Sequence, residues 1–110
     1  MTLETSEENG IATARLEGSV DGKTAPEVRE QLNPIVAAHS KVILDLTKVD
    51  YLSSAGLRLL LLLYRELSAK NGKLVLLGVS SDIRTVMSHT GFLSFFTLAG
   101  TQAEAVAAVS

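Results

Sequence analysis

No cysteine occurs in the chain, which excludes disulfides and Cys-ligated metals and suits a reducing compartment. Nor is there an excess of positive charge. The formal net charge of -2 supplies no basic field for nucleic acid or acidic lipid, so direct nucleic-acid binding is not expected. Long apolar runs are missing as well. The longest, Leu59 to Tyr64, falls far short of the ~20 residues a membrane-spanning helix needs, so membrane insertion is not expected. The first eight residues, Met1 to Glu8, are polar and acidic, the opposite of a secretory signal, and a cytoplasmic location is the expectation. What remains is ordinary globular composition, 46% hydrophobic and 20% charged, without low-complexity segments, linkers or repeats. Its 110 residues fit one domain, 1–110, with one core.

Asn9-Gly10 lies between two strand-like pieces, Leu3 to Glu7 and Ile11 to Glu17. Both residues of that pair accept positive φ, so it predicts a tight hairpin. Gly18 to Gly22 then reads as a turn towards a helix over Ala25 to Ala38. Thr24 with Glu27 predicts a capping box there, Pro26 suits the first turn, and Pro34 predicts a kink. Val28, Leu32, Ile35 and Val36 supply that helix with one apolar stripe. Lys41 to Leu46 reads as a strand buried on both faces, and Lys48 to Leu52 as a loop. A Leu-rich helix follows from the Ser53-Ser54 junction and stops near Asn71-Gly72. Lys73 to Leu77 repeats the buried-strand pattern. Ser80 or Ser81 caps a short helix ending at Thr90-Gly91, Leu93 to Thr97 reads as a last strand, and Thr101 with Glu104 caps a terminal helix. The fold class is therefore α/β, with a mixed, mainly parallel sheet, an N-terminal hairpin and about four helices.

The serine pair falls at a strand-to-helix junction, where the first N–H groups of the helix lack partners. One hydroxyl can cap those donors while its neighbour faces solvent, so the junction reads either as able to hold a phosphoryl group or as an ordinary N-cap. Plotted at helical spacing, Leu57, Leu60, Leu61, Tyr64 and Leu67 face the sheet, while Leu59 and Leu62 fall on the other side beside Arg58, Arg65 and Glu66. That leucine pair reads either as a docking surface or as a face covered by the same domain. Arg58 stands four residues beyond Ser54, within reach of a phosphate placed there.

Other chemistry finds little support. His39 and His89 have no ligand partners at metal spacing and read as surface or helix-end residues. Ser54 has Leu52, not glycine, two residues before it, so the hydrolase elbow is absent. No phosphate-binding Gly-Lys-Ser/Thr loop is present, and ATP would have to come from another protein. Asp45 and Asp50 read as capping and turn residues rather than magnesium ligands. No catalytic residue, cofactor or metal is expected.

The run from Val42 through Asp45, Ser53-Ser54-Ala55 and Gly56-Leu57 resembles the signature of STAS domains, in particular the bacterial anti-sigma factor antagonists. The resemblance extends to Gly18, Val20 and Asp21 and to the strand at residues 72 to 76. It implies a non-enzymatic regulator that binds an anti-sigma factor, itself a serine kinase, and thereby frees a sigma factor for transcription. Phosphorylation by that kinase, using its own ATP, then releases the antagonist, and a PP2C-type phosphatase restores it. Anchored on Gly56-Leu57, Ser54 takes the acceptor position, Ala55 stands where a second hydroxyl is usual, and Ser53 replaces the usual aspartate. The same resemblance places Asp21, Ser53, Gly56, Leu57 and Arg58 at the partner surface, with Leu59 and Leu62 added from the helix plot. Gly56 reads either as clearance for the kinase or as close helix packing. The alternative function is a constitutive STAS scaffold, a stressosome-like component or the cytoplasmic subunit of a lipid-transport ATPase. Self-association into a homodimer is left open.

Overall fold

The hairpin at Asn9-Gly10 forms as its residues require, with φ of 55° and 80°, the paired positive values of a type I′ turn. The computed structural model, which describes every residue from Met1 to Ser110, pairs β1 (Thr2–Glu8) antiparallel with β2 (Ile11–Val20) across it. All later pairings are parallel: β2 with β3 (Lys41–Leu52), β3 with β4 (Lys73–Leu77), and β4 with β5 (Thr97–Ala99). The sheet order is β1-β2-β3-β4-β5, a mixed sheet that is mainly parallel. Three helices connect the parallel strands, α1 (Ala25–Ala38), α2 (Ser54–Ser68) and α3 (Ser81–Thr90), and a fourth, α4 (Gln102–Val109), follows β5. None is long and apolar enough to cross a membrane.

Strand β3 shows why the helices divide as they do. Val42, Leu44 and Leu46 join a core with Val28 and Leu32 of α1, Leu60, Leu63 and Leu67 of α2, and Ile83 and Met87 of α3. Ile43 points the other way and meets Val75, Leu77, Ala105 and Val109 beneath α4. Three helices therefore cover one face, and the short α4 covers part of the other.

Several local expectations are corrected. Residues 48–52 are not a loop: β3 continues to Leu52 and pairs with Gly18, Ser19 and Val20, which were read as a turn. The extension is bulged twice. Register slips between Arg15/Glu17 and Gly18/Ser19, each time with one extra residue on β3. At the first slip Asp45 Oδ1 accepts from Thr47 N–H at 2.9 Å, and at the second Ser19 Oγ donates to Asp50 Oδ1 at 3.0 Å. The two aspartates thus fasten bulges. Thr24 makes no side-chain cap for α1. Its hydroxyl turns back to accept from Asp21 N–H at 2.9 Å and donate to the Ser19 carbonyl at 2.7 Å. The last strand begins at Thr97, and Leu93–Phe95 is a 3₁₀ turn. Other stops form as expected: Asn71 takes φ 60° after α2, Gly91 φ 78° after α3, and the hydroxyls of Ser80 and Thr101 cap α3 and α4.

Candidate functional site

The two serines divide their work. Ser53 N–H donates to the Val20 carbonyl at 2.9 Å, which ties the end of β3 to the end of β2. Its φ of -80° and ψ of 177° are extended, and its Oγ accepts from Gly56 N–H at 3.3 Å, the geometry of an N-cap. Ser54 is then the first residue of α2 and is exposed. No acidic side chain occupies that first turn, so the partial positive charge of the helix start is not offset there.

Beside it, Asp21 shapes the β2–α1 connection. Its Oδ1 accepts from the N–H groups of Lys23 at 2.9 Å and Thr24 at 3.1 Å. The Thr24 bond first, then that of Lys23, holds the carboxyl below its ordinary pKa. This loop and the α1 start form one wall of a shallow groove of about 260 Å³. Ala25 and Pro26 face Ala55, Arg58, Leu59 and Leu62 across it. Arg58 is exposed and takes no part in the chain's two ion pairs, Arg29 with Glu66 and His39 with Glu7.

The structure thus brings Ser54, Arg58 and Leu62 to one exposed surface, with Ser53 and Asp21 half-buried beside it. Gly56, Leu57 and Leu59 lie underneath. Leu59 was expected on the outward side but is only 6% exposed, as part of the core and the floor of the groove. The reason is α1, which packs along α2 and widens the buried arc to Leu57, Leu59, Leu60, Leu63 and Leu67; Leu61 and Tyr64 are only half-buried. Gly56 is explained by packing. A Cβ there would stand 2.7 Å from both Leu52 Cδ1 and the Val20 carbonyl oxygen, well inside contact distance. Tyr51, 56% exposed at the second bulge, and Pro26 at the groove were missed. The sequence pattern hid the bulges: core residues Leu46, Val49 and Leu52 recur every third position, which breaks the alternation of a regular strand and suits one face of a helix.

The site is thus an open α/β sheet with an exposed serine at the first turn of a largely buried helix and a shallow groove beside it. The STAS domain profile matches residues 2–105, and the chain belongs to that family. It is 37% identical over 109 residues to BtrV of Bordetella bronchiseptica, a candidate anti-sigma factor antagonist, covering 98% of this chain and 94% of that protein. An anti-sigma factor antagonist from Mycobacterium paratuberculosis superposes with a TM-score of 0.88 at 27% identity, over 98% of this chain and 92% of that one. The Bacillus cell fate determinant SpoIIAA in its phosphorylated form shares the fold, with a TM-score of 0.76 at 24% identity over 99% of this chain and 100% of that one.

Proposed function

We propose that this chain is a cytoplasmic anti-sigma factor antagonist switched by phosphorylation of Ser54. Unmodified, it binds an anti-sigma factor that is also a serine kinase, and so frees a sigma factor. The Ser54 hydroxyl oxygen attacks the γ-phosphorus of the kinase's ATP, ADP leaves, and the hydroxyl proton passes to a base on the kinase. A PP2C-type phosphatase hydrolyses the ester and restores the antagonist. Asp21, Ser53, Arg58 and Leu62 belong to the contact surface, and Gly56, Leu57 and Leu59 give that surface its shape from below.

The observation that carries this reading is the separation of roles at the junction: Ser53 holds the helix cap, and Ser54 is free to be modified without breaking it. The placement of Ser53 where the family usually has aspartate leaves the acceptor without a neighbouring carboxylate. Persistence of the fold in a phosphorylated protein supports the view that charge at such a domain is borne without unfolding.

The test is capture from the protein's own cells with the wild-type chain and with Ser54→Asp, followed by incubation of the recovered kinase with ATP and mass spectrometry. A kinase retained by the first, lost by the second, and placing phosphate on Ser54 is expected. Equal capture by both, with no phosphate on Ser54, would instead support the constitutive scaffold.

A further inference from the structure

Tyr51 carries the most exposed large apolar side chain in the molecule, 56% against 44% for Phe95 and Val86 and 42% for Leu62. Its exposure has a structural cause. Val49 pairs with Gly18 and Tyr51 with Ser19, so Asp50 is an extra residue on β3. Bulges of this kind re-aim side chains at the ends of strands. Contacts flank the ring on both sides: the Asp50 carboxylate accepts from Ser19 Oγ at 3.0 Å, Leu52 is turned into the core, and Ser53 N–H donates to the Val20 carbonyl. The ring therefore stands on a fixed base, with little further order to be imposed when a partner arrives.

We infer that Tyr51 is an anchoring contact for the partner that reads Ser54, an inference that rests on the function proposed above. Three residues of extended chain reach no more than about 10 Å. A partner of standard size covers about 800 Å² of each surface, a disc of about 16 Å radius, so one seated over Ser54 at the end of the sheet has the reach to include Tyr51, whose ring leaves β3 on the side opposite Leu52. Tyrosine suits the role, because it offers a large apolar area and a polar tip while immobilising only two torsions. The matching surface on the kinase is an apolar pocket with a hydrogen-bond acceptor for the phenol and a basic rim facing the exposed Asp50.

The chain's composition provides the probe. It has two tyrosines, and the other, Tyr64, packs with its ring centroid 6.0 Å from those of Phe95 and Phe96. Full-length chain labelled with 3-fluorotyrosine should give two fluorine resonances. Titration with the anti-sigma factor kinase recovered in the capture above should shift or broaden that of Tyr51 and leave that of Tyr64 in place. In parallel, Tyr51→Ala, checked for folding by circular dichroism, should bind that kinase roughly tenfold or more weakly, while Val86→Ala on α3 binds as wild type. An unmoved Tyr51 resonance at saturation overturns the inference, as does wild-type affinity of a folded Tyr51→Ala. A Tyr51 shift that follows the chain's own concentration without kinase also overturns it, by making the ring a self-association contact. If Ser54→Asp abolishes binding while Tyr51 is indifferent, the anchor alone fails. If Ser54→Asp binds unchanged, the phosphorylation switch itself fails.

Discussion

Gly56 separates two explanations that a motif alone leaves joined. Its absent side chain would strike Leu52 and the Val20 carbonyl, both inside the domain, so the glycine serves the seating of α2 on the ends of β2 and β3. Gly56→Ala should therefore lower stability by about 1–3 kcal/mol, as overpacking does, in a urea titration of the chain alone. A variant as stable as wild type but deaf to its partner would restore the clearance explanation. His39 carries a second consequence of local geometry. Its Nε2 stands 2.8 Å from Glu7 Oε1 and its Nδ1 3.0 Å from the Ile35 carbonyl oxygen, and a neutral ring cannot donate to both. The Glu7 bond first, then that of Ile35, raises the pKa above 6.5, while burial and Lys70 act weakly the other way. The folded state thus holds this proton more tightly than the unfolded chain. The resulting stabilisation is complete below the unfolded value of 6.5 and is lost as pH rises through the higher folded value. In an NMR titration His39 should titrate above that value, and Glu7→Gln should bring it down. Wild type should then exceed Glu7→Gln in stability at mildly acid pH, above the carboxylate range of about 4 and below the titration of the ring, with the margin shrinking as the ring deprotonates; a margin that does not change with pH would refute this pairing.

Helix α1 runs unbroken through Pro34, the tenth of its fourteen residues, although the ring removes the N–H that the Glu30 carbonyl would accept. Pro34 is exposed, so nothing but the backbone opposes its replacement. Pro34→Ala should raise stability by about 1–2 kcal/mol, the helix-propensity gain less the greater freedom of the unfolded chain. A loss on thermal melting would mean that the packing of α1 on α2 needs the proline. Other parts of the same elements were legible from residues alone. Asn9-Gly10 specified its turn, and the uniformly apolar Val42-Ile43-Leu44 identified a strand covered on both faces. The apolar stripe of α1 gave that helix its bounds of Ala25 and Ala38, and the Ser53-Ser54 pair located the start of α2. The second half of β3 was not legible, because two bulges break the alternation that marks a strand and place the polar Lys48 and the turn-favouring Asp50 within it. The face of α2 was misjudged for a tertiary reason. Seen by itself, a helix so rich in leucine does not reveal which side a second helix covers, and α1 covers Leu59. Thr24-x-x-Glu27 matched a capping box, yet Thr24 bonds backwards instead: its hydroxyl accepts from Asp21 N–H while Asp21 Oδ1 accepts from Thr24 N–H, the same reciprocal spacing one turn earlier in the chain.

Across the whole domain, Ser54, the proposed acceptor, and the core are mechanically separate. Helix α2 is anchored through Leu57, Leu60, Leu63 and Leu67 in the larger core, and its start is pinned by Ser53 to β2, while Ser54 contributes to neither. Charge added at Ser54 therefore has no packed element to dislodge. It lies at the positive end of a fifteen-residue helix whose first turn has no carboxylate, with the exposed Arg58 one turn on. Anions in that position stabilise helices by about 0.3–1 kcal/mol, so the modified chain should be slightly more stable than the unmodified one. We expect Ser54→Asp, and more so the phosphorylated chain, to melt a few degrees higher at low salt, with the gain shrinking as salt screens it. Arg58→Gln should remove part of the gain, and native-state hydrogen exchange should be unchanged in β3, β4 and the interior of α2. A switch built this way acts by changing what a partner meets at the surface. If the phosphorylated chain instead melts lower, or loses exchange protection in the interior of α2, the modification works by loosening the fold, and the division of labour between the two serines does not govern the switch.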